Sequence, residues 1–292
     1  MKIINKIEPP KSSVEPISFV PTMGALHKGH LSLVKKAKEE PFPVWMSIYV
    51  NKLQFNKNED YFSYPRNLDE DIQKAEMAGV DVLFVPEEKY INDKSQIEII
   101  SSGTKGSILE GLSRPGHFDG VLTVVNRLLR LVCPQQVILG EKDAQQLYLI
   151  KNKLRSKFLE TKFVSVSTTR DDSGLALSSR NNLLSESSRE IASGIYSTIK
   201  TFCFHFLNGK TEEFSLIKAR EYIRNYKQIT LDYLEVVDAK TFEFPSKETT
   251  EYYILIAVEI DGVRLIDNIR IEKKSNQCYL DLGINLLGEK IK

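Results

Sequence analysis

Short apolar runs and stretches of helical spacing alternate along the first half of the chain, and this pattern predicts strands separated by helices. Ile17 to Val20 (ISFV) reads as a strand, followed by a turn of small residues and a helix to Lys38 with Leu31, Val34 and Ala37 on one face. Val44 to Val50, Val80 to Val85, Ile97 to Ile100, Gln136 to Leu139 and Lys162 to Thr168 read as further strands. Between them, Asn67 with Glu70 can cap a helix that Gly79 stops. Gly120 to Val132 has helical spacing of Leu and Val ended by Pro134, and another helix starts near Asp143. Asn51 to Asn67 and Ser101 to Gly120 read as long loops, where binding residues collect. Strands and helices alternating at this spacing imply βαβ units and a mostly parallel sheet.

Beyond Asn181 the pattern changes. Ser185 caps a long amphipathic helix closed by Gly209, and a second helix covers Glu212 to Tyr226. Leu231 to Val237, Tyr252 to Ile260 and Val263 to Ile269 read as strands, with Asp261-Gly262 as a hairpin turn. The expected architecture is therefore α/β over residues 1–170, followed by a smaller α+β domain over residues 171–292. His205 lies among aromatics and reads as core or helix surface, and the tail from Glu272 carries no readable element.

Composition narrows the classes of function. Forty basic residues stand against 39 acidic ones, and a net charge of +1 gives no global attraction to nucleic acid or to an anionic membrane. Cys133, Cys203 and Cys278 form no C-x-x-C pair, which argues against a disulfide framework and fits a reducing compartment. The opening MKIINKIEPPK lacks an apolar region of the signal-peptide type, and the apolar run from Tyr252 to Val258 is too short to span a bilayer. A cytoplasmic protein is expected.

The candidate chemistry begins at the first strand–turn–helix unit. The N-terminus of such a helix favours an anion, and His27 and His30 lie three residues apart on its first turn. Gly24 and Gly29 allow a tight bend and close approach of a ligand. A phosphate site is one reading; a histidine that merely caps the helix is the other. Zinc is disfavoured by the spacing and by the lack of a nearby Cys or carboxylate cluster. Asn51, Gln54 and Arg66 are candidates on the following loop. In GEKDAQQL, Lys142 can meet a phosphate as a point charge, while Asp143 and Gln146 also have the spacing of a capping box. Ser178, Ser179 and Arg180 can form an oxyanion clamp, although such a tripeptide is weak evidence by itself.

Four stretches in order, PTMGALHKGH, SIYVNKLQF, RPGHFDGV with GEKDAQQL, and GLALSSRN, closely resemble the pantothenate synthetases (pantoate–β-alanine ligases) of the HxGH nucleotidyltransferase superfamily. LDYLEVVDAKT and RLIDN add to the resemblance, whereas Walker A, G-x-G-x-x-G, H-E-x-x-H and G-x-S-x-G motifs are absent. The resemblance implies a Rossmann-like ATP- and pantoate-binding N-terminal domain with the smaller domain covering the site. It implies ATP-dependent condensation of pantoate with β-alanine through a pantoyl adenylate, with Mg²⁺ on the phosphates and a homodimeric assembly. ATP would contact Met23, Gly24, His27, Gly29, His30, Gly140, Glu141, Lys142, Asp143, Thr169, Leu177, Ser178, Ser179 and Arg180. Catalytic roles would fall to His30, His27, Lys142 and Arg180, and pantoate would be held by Gln54 and Gln146. Arg114 and His117 would lie on a loop that closes over the site. Lys52 after Asn51, RDDSG in place of REPDG and a short segment before Pro21 depart from the family pattern. Two alternatives stay open: a nucleotidylyltransferase of the same superfamily, and a non-catalytic nucleotide- or tRNA-binding module.

Overall fold

The computed structural model describes residues 1–7, 15–56, 58–274 and 277–291, with the side chains of residues 58–60 outside the description. Part of the opening segment and Lys57 of the first long loop therefore lie outside the described residues. The chain divides into two compact units, Met1–Glu141 with Gln145–Val166, and Lys142–Ala144 with Ser167–Lys292. The GEKD segment, inside the first domain by sequence, thus divides, with Lys142 and Asp143 in the second unit.

In the first unit the strands are β1 (Lys2–Ile4), β2 (Ser18–Thr22), β3 (Val44–Ile48), β4 (Val82–Phe84), β5 (Gln136–Gly140) and β6 (Lys162–Val166). They form one parallel sheet in the order β1-β4-β3-β2-β5-β6. Its helices include α1 (Lys28–Ala37), α2 (Asn58–Ser63), α3 (Leu68–Ala78), α4 (Glu88–Ile91), α5 (Glu110–Ser113), α6 (His117–Val132) and α7 (Ala144–Leu154). This is a Rossmann-like α/β fold.

Strand alternation sorts the core. Phe19 and Val137 join Leu122 and Leu129 of α6 in one cluster, while their neighbours Val20 and Ile138 join Val34 and Ala37 of α1 in another. Leu33, rather than half-buried Leu31, completes the buried stripe of α1. Strands β2 and β5 pair only through Ser18–Gln136 and Phe19–Val137, so they part towards their carboxyl ends. Strand order reverses across the sheet at this pair, the position where open α/β sheets bind ligands.

Three sequence expectations change here. Ile97–Ile100 is not a strand: Ile99 is exposed, and the Ile100 amide donates to Thr123 Oγ1 at 3.0 Å instead of to a sheet neighbour. The loop after Asn51 contains a 3₁₀ turn, Lys52–Gln54, and α2. The loop after Ser101 contains α5, and α6 begins at His117 rather than Gly120.

In the second unit, α8 (Glu186–Leu207) and α9 (Glu212–Ile223) precede β7 (Ile229–Asp238), β8 (Glu251–Ile260), β9 (Val263–Lys274) and β10 (Gln277–Asp281). The four strands form an antiparallel sheet in the order β10-β9-β8-β7. Asp261 and Gly262 both have positive φ, 50° and 77°, as a two-residue hairpin turn of type I′ requires. Ile199 and Phe202 of α8 pack with Ile254, Ile256 and Val258 of β8. His205 is half-buried, with its ring edge-on to Phe204 and Phe214. The tail does form structure: β10 extends the sheet, and Ile284 bonds the backbone of Thr168 and Arg170.

Arg170 is the hub of this unit. Its guanidinium is 0% exposed and lies 4.3 Å from the Tyr196 ring centroid. It donates to Asp267 Oδ2 at 2.5 Å and to the carbonyls of Leu282 at 2.7 Å, Asn268 at 2.9 Å and Gly174 at 3.1 Å. Tail, β9 and the 171–174 turn therefore share one buried cation.

Two measurements test this packing. Arg170→Met strands the Asp267 carboxylate and should lower unfolding free energy by about 3–5 kcal/mol in urea titration; an unchanged midpoint contradicts the hub. Cys133 and Cys278 are exposed, whereas burial pushes the Cys203 thiol up to about 12. A disulfide-exchange reagent should therefore label Cys133 and Cys278 in the native protein and reach Cys203 only after denaturation.

Candidate active site

The turn from β2 into α1 sits at the carboxyl edge of the sheet. Gly24 and Ala25 both have positive φ, 80° and 49°. For alanine this conformation is strained, and a buried acid holds it: Asp71 of α3, 2% exposed, accepts the amides of Ala25 at 2.8 Å and Leu26 at 2.6 Å. Lys74, one turn further on, donates to the Leu26 carbonyl at 2.7 Å. Any Cβ at Gly24 would stand 2.8 Å from Asp71 Oδ2, so glycine is required by both conformation and space.

The two histidines then cap α1 reciprocally. The Gly29 amide donates to His27 Nδ1 at 3.1 Å, and the His27 amide donates to His30 Nδ1 at 3.3 Å. Both Nδ1 atoms are acceptors, so each neutral ring carries its proton on Nε2. The capping and phosphate readings of the sequence are thus compatible. The ring centroids lie 4.1 Å apart, at a helix N-terminus whose dipole favours an anion. Met23, before these rings in sequence, and Gly29, between them, are half-buried.

A second element of the first unit fixes Gln54. The Leu53 amide donates to Asn51 Oδ1 at 3.0 Å, which identifies the oxygen of that side chain. Asn51 Nδ2 then donates to the Gly120 carbonyl at 3.0 Å and to Gln54 Oε1 at 3.1 Å. Gln54 is 9% exposed and, with its oxygen engaged, presents its amide N–H groups as donors suited to a carboxylate or hydroxyl. A Cβ at Gly120 would stand 2.3 Å from the Leu53 carbonyl oxygen, so α6 can approach this turn only through glycine.

Gly140 ends β5, with open space where a Cβ would stand, and Glu141 is buried beside it. Gln146 is half-buried on α7, whereas its neighbour Gln145 is a structural staple, donating to the carbonyls of Lys105 and Ile108 at 2.9 Å each. Arg66 folds over the Tyr61 ring and donates to the Tyr61 carbonyl at 2.6 Å, which makes it a brace of α2. His117 is 6% exposed under the Gln54 turn, so the expectation of a closing loop is replaced at this residue by a packed helix start.

The second unit carries the other candidates. Lys142 stands 3.9 Å from Asp143, and its backbone carbonyl accepts from Asn268 Nδ2 at 2.7 Å. The Thr169 carbonyl accepts the Leu177 amide at 2.9 Å, and Ser178 caps the 3₁₀ turn Ser179–Leu183 through the Arg180 amide at 3.3 Å. Ser179 is buried and Arg180 half-buried. Asp71, Lys74 and Asn268, all essential to these placements, were not distinguishable as site residues in sequence, because each acts on backbone far away along the chain.

Among the described residues no cluster of three or more His, Cys, Asp or Glu could hold a metal ion, and no helix is long and apolar enough to cross a membrane.

The family described as pantoate-beta-alanine ligase matches residues 2–270. The pantothenate synthetase of Caldicellulosiruptor bescii is 42% identical over 90% of this chain and 94% of its own, and that of Aliivibrio fischeri is 41% identical over 88% and 89%. Among solved structures, pantothenate synthetase from Thermus thermophilus superposes with a TM-score of 0.86 at 37% identity, covering 92% of this chain and 98% of that one. Pantoate-beta-alanine ligase from Francisella tularensis, complexed with beta-gamma ATP and beta-alanine, gives 0.75 at 40% identity over 92% and 97%. The chain belongs to the pantoate-beta-alanine ligase family.

Proposed function

We propose that this chain condenses pantoate with β-alanine, using ATP, to give pantothenate, AMP and pyrophosphate. The observation that carries the reading is the reciprocal histidine cap at the head of α1, which fixes the ring protons on Nε2 beside a helix N-terminus at the carboxyl end of the sheet, a setting of the nucleotide-binding type. A carboxylate is a poor acyl donor until its oxygen is attached to a good leaving group. In the first step a pantoate carboxylate oxygen attacks the α-phosphorus of ATP, and the bond to pyrophosphate breaks. In the second, the β-alanine amine attacks the acyl carbon, AMP leaves with the bridging oxygen, and the nitrogen loses a proton.

Each unit contributes its own groups. In the first, His30 donates to the α-phosphate where charge develops, with His27 beside it; Met23, Gly24 and Gly29 line the nucleotide, with Gly140 and Glu141 at the end of β5. Gln54 and Gln146 bind pantoate through their amides. In the second, Lys142, Ser178, Ser179 and Arg180 take the phosphates, with Asp143, Thr169 and Leu177 completing the contacts.

The donor set among the described residues offers no protein cage for a metal, and Mg²⁺ characteristically binds through phosphate oxygens and one or two carboxylates. Asp143, half-exposed next to Lys142, fits that limited role. Mg²⁺ would neutralise charge on the departing pyrophosphate. A cytoplasmic homodimer is the proposed state.

Pyrophosphate exchange into ATP should depend on pantoate, and later addition of β-alanine should yield AMP and pantothenate in equal amounts. His30→Ala and Lys142→Ala should each slow exchange by about a hundredfold or more in variants that still fold, with His30→Ala lowering stability by only about 1 kcal/mol through its lost cap bond. Pantoate-independent exchange, or wild-type rates in either folded variant, contradicts the assignment.

A further inference from the structure

The start of α6 contains a histidine whose proton can be placed without ambiguity. His117 Nε2 lies 3.2 Å from Arg114 Nη1, and a guanidinium can only donate, so Nε2 accepts. The proton therefore sits on Nδ1, which donates to the Gln54 carbonyl at 2.9 Å. His117 is 6% exposed, and its ring lies 4.8 Å from that of Phe118. Gln54 is thus held from both ends by the first turns of one helix: its backbone carbonyl by His117, its side-chain oxygen by Asn51, which is itself anchored on Gly120.

From this geometry we infer that His117 is a positioning residue for the pantoate subsite, setting Gln54 through its Nδ1–H. The inference rests on the proposed binding of pantoate by Gln54. An imidazolium would place an N–H against the Arg114 guanidinium, exchanging an acceptor for a second donor and a second positive charge. Arg114, from the segment before α6, donates to one ring nitrogen, and the 3₁₀ turn presents the Gln54 carbonyl to the other; Glu110 of α5 stands 3.9 Å from Arg114. Loss of the His117 contact frees the Gln54 carbonyl, and the amide that meets pantoate loses its fixed direction.

The effect should appear in KM for pantoate and not in KM for ATP, because His27 and His30 stand on a different element. His117→Ala should raise the pantoate KM about fivefold to tenfold, the equivalent of one buried hydrogen bond, with the ATP KM little changed. His117→Asn offers a neutral amide donor in place of Nδ1–H and should restore most of the affinity. An independent check needs no variant: imidazole ¹⁵N spectra of the native protein should show His117 protonated on Nδ1 and not on Nε2 near neutral pH.

An unchanged pantoate KM in His117→Ala, an equal rise in both KM values, no recovery in His117→Asn, or an Nε2–H tautomer each overturns the inference. Failure of the underlying reading would look different: the wild type would show no pantoate-dependent exchange at all.

Discussion

The amides at the head of α1 need acceptors, and the way they find them organises the first unit. His27 and His30 satisfy one amide each through Nδ1, and Asp71 satisfies the two before them. The same bonds that complete the helix determine ring tautomer and turn conformation. A carboxylate buried on α3 holds Ala25 in a left-handed conformation, and that bend delivers His27 to the cap position. In the proposed function, structural capping and anion recognition would be two uses of one ring, through its two nitrogens.

The remaining candidate groups follow the same logic, in which a side chain is aimed by bonds to its backbone. Gln54 is oriented through Asn51 and α6, and the Lys142 backbone is held by Asn268. Asn268 is tied in turn to Arg170 through its carbonyl, so the buried cation of the second unit supports the strand that holds Lys142. Catalysis by electrostatic preorganisation needs such fixed dipoles, since a donor that must reorient loses much of its advantage over water.

What could be read from sequence was local. The strand–turn–helix around His27, the Asn67 cap with Gly79, the Ser185 cap and the Asp261-Gly262 hairpin depend on neighbours a few residues apart, and all are present. Groups acting over long separations were not legible. Asp71 reads as one more acid in the first turn of α3, where acids complement the helix dipole, yet its partners are 45 and 46 residues away. Arg170 is the first residue of RDDSG, and nothing local signals that it is fully buried. Ile97–Ile100 differs because an apolar run specifies burial but not a ladder partner; Thr123 provides the alternative bond for Ile100. His117 stands out by its motif, but its packing onto Gln54 depends on Gly120, whose significance appears only with the close approach to Leu53.

The central claim is that helix capping sets the proton positions of His27 and His30 for phosphate recognition. Imidazole ¹⁵N spectroscopy, with and without ATP, tests it most directly. Near neutral pH both rings are expected to carry the proton on Nε2 with Nδ1 unprotonated, and the Nε2–H signals are expected to shift when ATP is added. Nδ1-protonated rings, or Nε2–H signals indifferent to ATP, would contradict the account.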